Sequence, residues 1–361
     1  MTVETPRRTR FPEVEVSGKP REMGRQIGEA CREQVRGFSD LVIERFNHGR
    51  AKRLELAAAL DVSQGCFPFV QAYSPDSAEE MRGIAEGAGI TTEQVMLINV
   101  RNQLGAALEG CTSVVLESRA TSVGHGIAGQ NWDNDPASDP YSVVLVRRPA
   151  GKPAIMNFIR PGEIAYMGLN SAGTGILMNA MPGRSRRIGL PWYFIVRAIY
   201  EQPNLSCIKA AAERANRSIP ANAALITAEG AADLEVMLDA VRTVGPDEHG
   251  WLVHTNHCVH PDLLGTNDEF RSGVYGQSFE RRGRAATILG REPGAADVDT
   301  VKRILSDHEG HPTSICRHPN DDPATGYQRS VVSMIVEPAA GRMHLSRGNP
   351  CEAPYEIYQL S

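Results

Sequence analysis

Over the first hundred or so residues, apolar side chains recur every three or four positions. Met23, Ile27, Cys31, Val35, Phe38, Val42 and Phe46 fall on one stripe, which predicts an amphipathic helix over residues 20–46. Two capping boxes follow. Ser77 with Glu80, and Thr91 with Gln94, each set an acceptor side chain at a helix start with a reciprocal Glu or Gln three residues on, predicting helices over 78–87 and 92–103. Past residue 110 the pattern changes to short β-branched runs broken by Gly, Pro, Asn and Asp, the signature of strands, at 112–117, 126–131, 142–147, 154–159 and 175–179. Helices return over 191–201 and 205–217, then strands over 223–227, 234–239 and 250–255. Two further helices, about 277–290 and 297–306, precede a hairpin of 331–337 with 342–346. Blocks of strands alternating with blocks of helices, rather than strict βαβ units, imply packed sheets with helix layers outside.

Composition narrows the partners more than the chemistry. The 361 residues are 41% hydrophobic, enough for a full core. A formal charge of -5, with 22% charged residues of both signs, leaves no electrostatic footprint for nucleic acid or an anionic membrane. No apolar run is long enough to span a bilayer. The opening MTVETPRRTRFPEV has basic residues with no apolar run behind them, so neither a secretory signal nor an anchor is expected, and a cytoplasmic protein is. Cys31, Cys66, Cys111, Cys207, Cys258, Cys316 and Cys351 are odd in number and lack C-x-x-C spacing, which fits reduced thiols. A cysteine with a special role must therefore stand out by its neighbours.

Cys111 does. Glu109-Gly110-Cys111-Thr112-Ser113 lies where the helical part gives way to the first predicted strand. A cysteine thiol can attack the carbonyl of the residue before it, forming a thioester that water opens to leave a free α-amine on the cysteine. Gly110 suits this because, without a Cβ, it tolerates a strained backbone and close approach of the thiol. The amine made this way titrates near pH ~8, against ~10.4 for a lysine, so it can take the thiol proton at neutral pH without a histidine. The alternative is a small buried hydrophobe at the start of a strand.

Further motifs follow in order: Gly129-Gln130-Asn131-Trp132-Asp133, Gly168-Leu169-Asn170-Ser171-Ala172-Gly173, Val253-His254-Thr255-Asn256-His257 and Ser314-Ile315-Cys316-Arg317. With the junction, this series resembles the isopenicillin N acyltransferase family of autoproteolytic N-terminal-nucleophile hydrolases over roughly residues 110–350. The earlier segment resembles it mainly in length and in a first helix punctuated by Gly24 and Gly28. The resemblance implies an α+β fold, a four-layer αββα sandwich with a helical N-terminal segment. It also implies self-cleavage between Gly110 and Cys111, with the pro-segment 1–110 retained as partner of the catalytic part 111–361. By the same resemblance Cys111 matches the nucleophile, Asp133 the acid that orients the new amino terminus, and Asn256 the oxyanion-hole side chain. Arg317 matches a structural or substrate-side arginine. Ser113 stands where the fungal enzyme of this family has threonine, and keeps the hydroxyl for a hydrogen-bonding role in processing. The chain also carries an insertion between Cys111 and Asp133, which the 117–126 turn is expected to absorb without disturbing the strands.

Each position has a plainer alternative: a turn carboxylate for Asp133, a strand-end cap for Asn256, an ordinary ion pair for Arg317. Asn179 is either a substrate-lining side chain or a satisfied core amide. Arg184, Arg186 and Arg187 read as a solvated charge run or an anion-binding loop. The expected reaction is hydrolysis of small N-acyl amides, or acyl transfer from amides or thioesters, through a Cys111 thioester. Two rival enzymes remain. One is an unprocessed thiol hydrolase using Cys111, His254 and Asn256 in the chain order Cys, His, Asn. The other is a metal-dependent hydrolase built on His254, His257, Cys258 and His260, against which stand strand alternation and the lack of a second ligand pair at zinc-like separation. A non-enzymatic binding module with an incidental Gly-Cys pair is the third reading. His308-Glu309-Gly310-His311 is not H-E-x-x-H, and Ala172-Gly173-Thr174-Gly175 lacks the dinucleotide fingerprint, so no metal and no cofactor are expected.

Overall fold

A computed structural model describes residues 9–48, 52–105, 110–269, 276–291, 293–323 and 325–361; residues 1–8 and Glu109 of the sequence reading lie outside these. The chain starts with a strand, β1 (Glu13–Gly18), before helices α1 (Pro20–Ala30), α2 (Arg32–Asn47), α3 (Leu56–Tyr73), α4 (Pro75–Ala88) and α5 (Thr92–Leu104). Strands β2 (Gly110–Leu116), β3 (Ile127–Asn134), β4 (Val143–Pro149), β5 (Ile155–Ile159), β6 (Gly168–Asn170) and β7 (Gly175–Ala180) follow. After α6 (Trp192–Tyr200) and α7 (Leu205–Glu213) come β8 (Ala221–Thr227), β9 (Gly230–Val236), β10 (Val241–Val244) and β11 (Trp251–His254). Helices α8 (Gly276–Leu289) and α9 (Val298–Leu305) precede β12 (Arg329–Glu337), β13 (Arg342–Arg347) and β14 (Tyr355–Gln359).

Among the described residues the strands form two sheets, ordered β1-β4-β5-β6-β7-β8-β9-β10 and β11-β2-β3-β12-β13-β14. Their inner faces meet, β2 and β3 lying over β7 and β8. Helices α1 and α7 cover the outside of the larger sheet, and α8 and α9 the outside of the smaller. This is the expected αββα sandwich. The β2 and β3 strands therefore have two buried faces: Val115 and Ala128 join the core between the sheets, while Val114, Leu116 and Ile127 pack under α8 and α9.

Three expectations for the N-terminal segment need correction. It is not wholly helical, because Glu13–Gly18, with Val14 and Val16 alternating against glutamates, pairs parallel to β4 at the edge of the large sheet. The long stripe over 20–46 is two helices, broken where Cys31 leaves helical geometry (φ -117°, ψ 29°). The cap of α4 is Ser74, which accepts from the Ser77 N–H, so Ser77 and Glu80 form no capping box. The Thr91–Gln94 box is present in both directions.

Glu80 is needed elsewhere. It is fully buried, accepting from Arg147 Nε on β4 at 2.7 Å and from Arg197 Nη1 on α6 at 2.9 Å. Burial disfavours its charge, yet the Arg197 and Arg147 guanidinium groups outweigh that and hold the carboxyl below its usual range. Arg101 on α5 makes a second tie, reaching the buried Glu163, which also pairs with Arg160. Beneath this network α1 crosses α4 with almost no separation: a Cβ on Gly24 or Gly28 would collide with the α4 backbone around Glu80 and Ile84. Glu80→Ala, which removes the carboxylate paired with Arg147 and leaves Arg197 only its pairing with Glu201, is expected to cost about 3–5 kcal/mol. A clear fall in the urea midpoint of the full chain checks this; an unchanged midpoint would show the network to be energetically neutral.

Candidate functional site

The antiparallel ladder between β2 and β3 sets the Gly-Cys junction in place. Gly110 pairs with Asp133, Cys111 with Trp132 and Ser113 with Gln130, and the register runs unbroken to Leu116–Ile127. Residues 117–126 lie outside the ladder, whose register they leave undisturbed. The strand begins at Gly110 rather than at residue 112, so the junction lies inside a hydrogen-bonded strand. Alternation sends Cys111 and Val115 into the core between the sheets, with Ser113 on the same face. Gly110 and Thr112 take the opposite face.

Cys111 is 1% exposed, and its backbone N–H donates to Asn256 Oδ1 at 2.9 Å. Asn256 reaches it because β11 pairs with β2 and ends at His254, delivering the next turn to the start of β2. The Asn256 Nδ2 donates to Ala180 O at 3.1 Å. Ser278, in the first turn of α8, fixes that turn by accepting from the Asn256 N–H at 2.7 Å.

One helical turn further, Arg281 enters the site. Its Nη1 donates to Cys111 O at 2.5 Å and to Thr112 Oγ1 at 2.7 Å, and its Nη2 donates to Asn256 Oδ1 at 2.8 Å. Sequence reasoning missed this residue, since Glu280-Arg281-Arg282-Gly283-Arg284 looks like a solvated charge run. The signal was its spacing: Ser278, Arg281, Ala285 and Leu289 are the buried stripe of α8.

Asp133 occupies the space beside Gly110. A Cβ on Gly110 would come within 3.1 Å of Asp133 Oδ2, so a larger residue here would have to displace the carboxyl. The Asp133 Oδ1 accepts from Ser330 Oγ at 2.7 Å, while Oδ2 is buried with no hydrogen-bond partner. A β-bulge makes the Ser330 contact possible. Ser330 pairs with Asp133 and Val332 with Trp132, so the extra residue between them puts Ser330 and Val332 on opposite faces. Burial pushes the Asp133 carboxyl up to about 6, against the pull of Arg281, Arg317 and Ser330.

Arg317 is on the Asp133 side of the site. Its backbone N–H donates to Ser330 Oγ at 3.0 Å and its Nη2 to Thr325 Oγ1 at 3.2 Å. Ser113 and Asn179 meet across the two sheets, Ser113 Oγ donating to Asn179 Oδ1 at 3.0 Å, with Asn179 Nδ2 buried and unpartnered. Arg184, Arg186 and Arg187 are exposed, and Arg186 pairs with Asp239.

The histidine cluster disperses. His254 has Nδ1 on Thr255 O at 2.8 Å and Nε2 on Glu235 at 2.9 Å, so both ring nitrogens donate to oxygens, and the carboxylates of Asp233 and Glu235 outweigh burial to raise its pKa. Neither nitrogen is left to take a proton from Cys111. His257 turns to Ser278 at 2.7 Å and stacks on Phe279, and His260 Nδ1 accepts from the Asp262 N–H. These residues share no common ligand point.

Two facing sheets between helix layers, with a glycine-cysteine pair opening a central strand, define an N-terminal-nucleophile hydrolase fold. Residues 120–352, well over half the chain, match the family described as Acyl-coenzyme A:6-aminopenicillanic acid acyl-transferase, and the chain belongs to that family. It is therefore an amide-acting enzyme of the acyltransferase and amide hydrolase kind. The acyl-coenzyme A:6-aminopenicillanic-acid-acyltransferase 40 kDa form of Emericella nidulans is 25% identical over 355 residues, covering 96% of this chain and 95% of its own. Among solved structures, a mutant conjugated bile acid hydrolase from Clostridium perfringens aligns at 11% identity over 70% of this chain and 97% of its own, with a TM-score of 0.46. Penicillin V acylase from Agrobacterium tumefaciens aligns at 12% identity over 68% and 84%, with a TM-score of 0.42.

The Asp133 environment makes a signed prediction. Its folded pKa lies above the ordinary 3.8, so the native chain binds more protons than the unfolded one between about 4 and 6, and this group alone lowers stability as pH rises through that window. Asp133→Asn, introduced into a Cys111→Ala chain, is expected to raise the melting temperature at pH 7, with the gain fading towards pH 4. A lower melting temperature at pH 7 would mean that Arg281 and Arg317 need the charge more than burial opposes it.

Proposed function

We propose that this enzyme cleaves its own Gly110–Cys111 bond and then uses Cys111 as an N-terminal nucleophile on small N-acyl amides or thioesters. The observation that carries this reading is the treatment of the junction itself. Asn256 holds the Cys111 nitrogen, Arg281 holds the Cys111 carbonyl, and Asp133 keeps an unpartnered carboxylate oxygen beside Gly110. An incidental buried cysteine calls for none of these polar groups.

In processing, the Cys111 Sγ bonds to the Gly110 carbonyl carbon, the C–N bond breaks, and the thiol proton ends on the Cys111 nitrogen. Water then hydrolyses the thioester, leaving a carboxylate on Gly110 and regenerating the thiol, so that fragments 1–110 and 111–361 remain associated. The freed amine, titrating near ~8, is the base that takes the thiol proton in each turnover. Asp133 orients that amine. Sγ attack on a substrate carbonyl expels the amine or thiol, and water or an acceptor amine resolves the acyl-enzyme. Asn256 Nδ2 and backbone N–H groups stabilise the oxyanion. Ser113 and Asn179 line the Cys111 face of the strand, and Arg317 balances charge around Asp133. The related acyltransferase is named for an acyl-coenzyme A and an amine, which supports a thioester donor beside an amide one. The occupied ring nitrogens of His254 weigh against the unprocessed Cys-His-Asn alternative.

Amino-terminal sequencing and intact mass of purified protein test the reading, which expects two fragments with Cys111 at the start of the second. Cys111→Ala is expected to give one inactive chain; two fragments from it would remove Cys111 from processing. Asn256→Ala is expected to lose roughly 10²–10³ of turnover, and full activity in that variant would rule out the oxyanion role.

A further inference from the structure

Away from the Gly-Cys junction, four side chains from three separate segments converge. His308 lies in the turn after α9, Cys316 and His318 flank Arg317, and Cys351 lies in the turn after β13. One ligand atom from each lies within 4.8 Å of all the others. His318 Nε2 is 3.1 Å from His308 Nε2, 3.6 Å from Cys316 Sγ and 3.5 Å from Cys351 Sγ, and the two sulfurs are 3.6 Å apart.

Hydrogen bonding does not account for this arrangement. His318 Nε2 faces three groups, and a single ring nitrogen has one hydrogen or one lone pair to share among them. A disulfide does not account for it either, because the sulfurs stand well beyond a covalent S–S length of about 2.05 Å and two imidazoles point at them. A common central ion satisfies all four at once. Zinc bonds of about 2.3 Å to sulfur and about 2.0–2.1 Å to nitrogen put the edges of a tetrahedron at about 3.3–3.8 Å. Four of the six separations lie in or just below that range, and the other two, from His308 to the sulfurs, are within 4.8 Å, a gap that a small turn of the exposed His308 side chain closes.

We propose that His308, Cys316, His318 and Cys351 bind one zinc ion in a tetrahedral Cys2His2 site. All four positions are filled by protein, so the site is structural, with no place for a reacting water. Around the ligands are the supporting contacts such sites carry. Asn349 Nδ2 points at Cys316 Sγ at 3.4 Å, and the Glu352 carboxylate lies 3.9 Å from His318 Nδ1, the ring nitrogen turned away from the cluster. The ion joins the end of α9 and the β13 turn to the loop carrying Arg317. That loop is tied to Asp133 through Ser330, and Arg317 O accepts from Asn349 at 2.7 Å. The sequence hides the site because Cys351 follows His318 only after a whole hairpin.

The test uses the full chain, made without a polyhistidine tag and kept reduced, with zinc as the probe. Elemental analysis after dialysis is expected to find about one zinc per chain. Cobalt added to the metal-stripped protein is expected to give the visible bands and sulfur-to-metal charge transfer of a tetrahedral thiolate site. Cys351→Ser and His308→Gln sit at exposed positions outside the catalytic machinery and are expected to keep the far-ultraviolet circular dichroism of the parent. Each is expected to lose zinc to a competing chelator more readily by more than the about 10–100-fold typical of losing an outer-shell partner. Reduced protein that neither retains zinc nor gives the cobalt spectrum overturns the proposal. So does a Cys316–Cys351 disulfide found in protein prepared under reducing conditions, or unchanged zinc content when both substitutions are combined.

Discussion

The site depends on the register of β2 against β3. Because Gly110 is opposite Asp133 and Cys111 opposite Trp132, the carboxyl falls beside the glycine, and the thiol turns to the other face of the same strand. A slip of β2 by one residue would turn its side chains to the opposite faces, leaving the sulfur under the outer helices and Asp133 without Gly110 beside it. Neighbouring strands fix this register from both sides. β11 brings Asn256 to the Cys111 nitrogen, and the bulge in β12 brings Ser330 to Asp133. Arg281 then closes the arrangement from α8, bonding to both Cys111 and Asn256.

The segment ahead of the junction is built into this frame. β1 adds a strand to the large sheet, Glu80 and Arg101 carry buried charges into its partners, and the glycine crossing presses α1 onto α4. These contacts share no dependence on the peptide link at Gly110. Paired buried charges give little net stability but are costly to separate, which suits a join that fixes this segment in one arrangement against the sheets.

Much of this was legible in local pattern. Most strands after residue 110, the Thr91–Gln94 box and the β12–β13 hairpin follow from β-branched runs and turn residues, because those signals are local, whereas the short β6 and β10 and the edge strand β14 were not predicted. What stayed hidden was non-local. β1 is short and paired to a strand more than a hundred residues away. Glu80 has the sequence context of a cap, but a deep pair of arginines claims it. Arg281 sits among surface-like charges, and only its place on the buried stripe of α8 sets it apart. The candidate site residues emerged through the order of motifs, whereas their contacts required the fold.

The near-complete enclosure of Cys111 has a consequence for the lifetime of the protein. Thiols oxidise according to thiolate character and exposure, climbing from sulfenic to irreversible sulfinic and sulfonic acids. A sulfur held at 1% exposure between two sheets is out of reach of peroxide. The packing of the two sheets therefore protects this thiol from oxidants, and its vulnerability begins only when the surrounding structure opens.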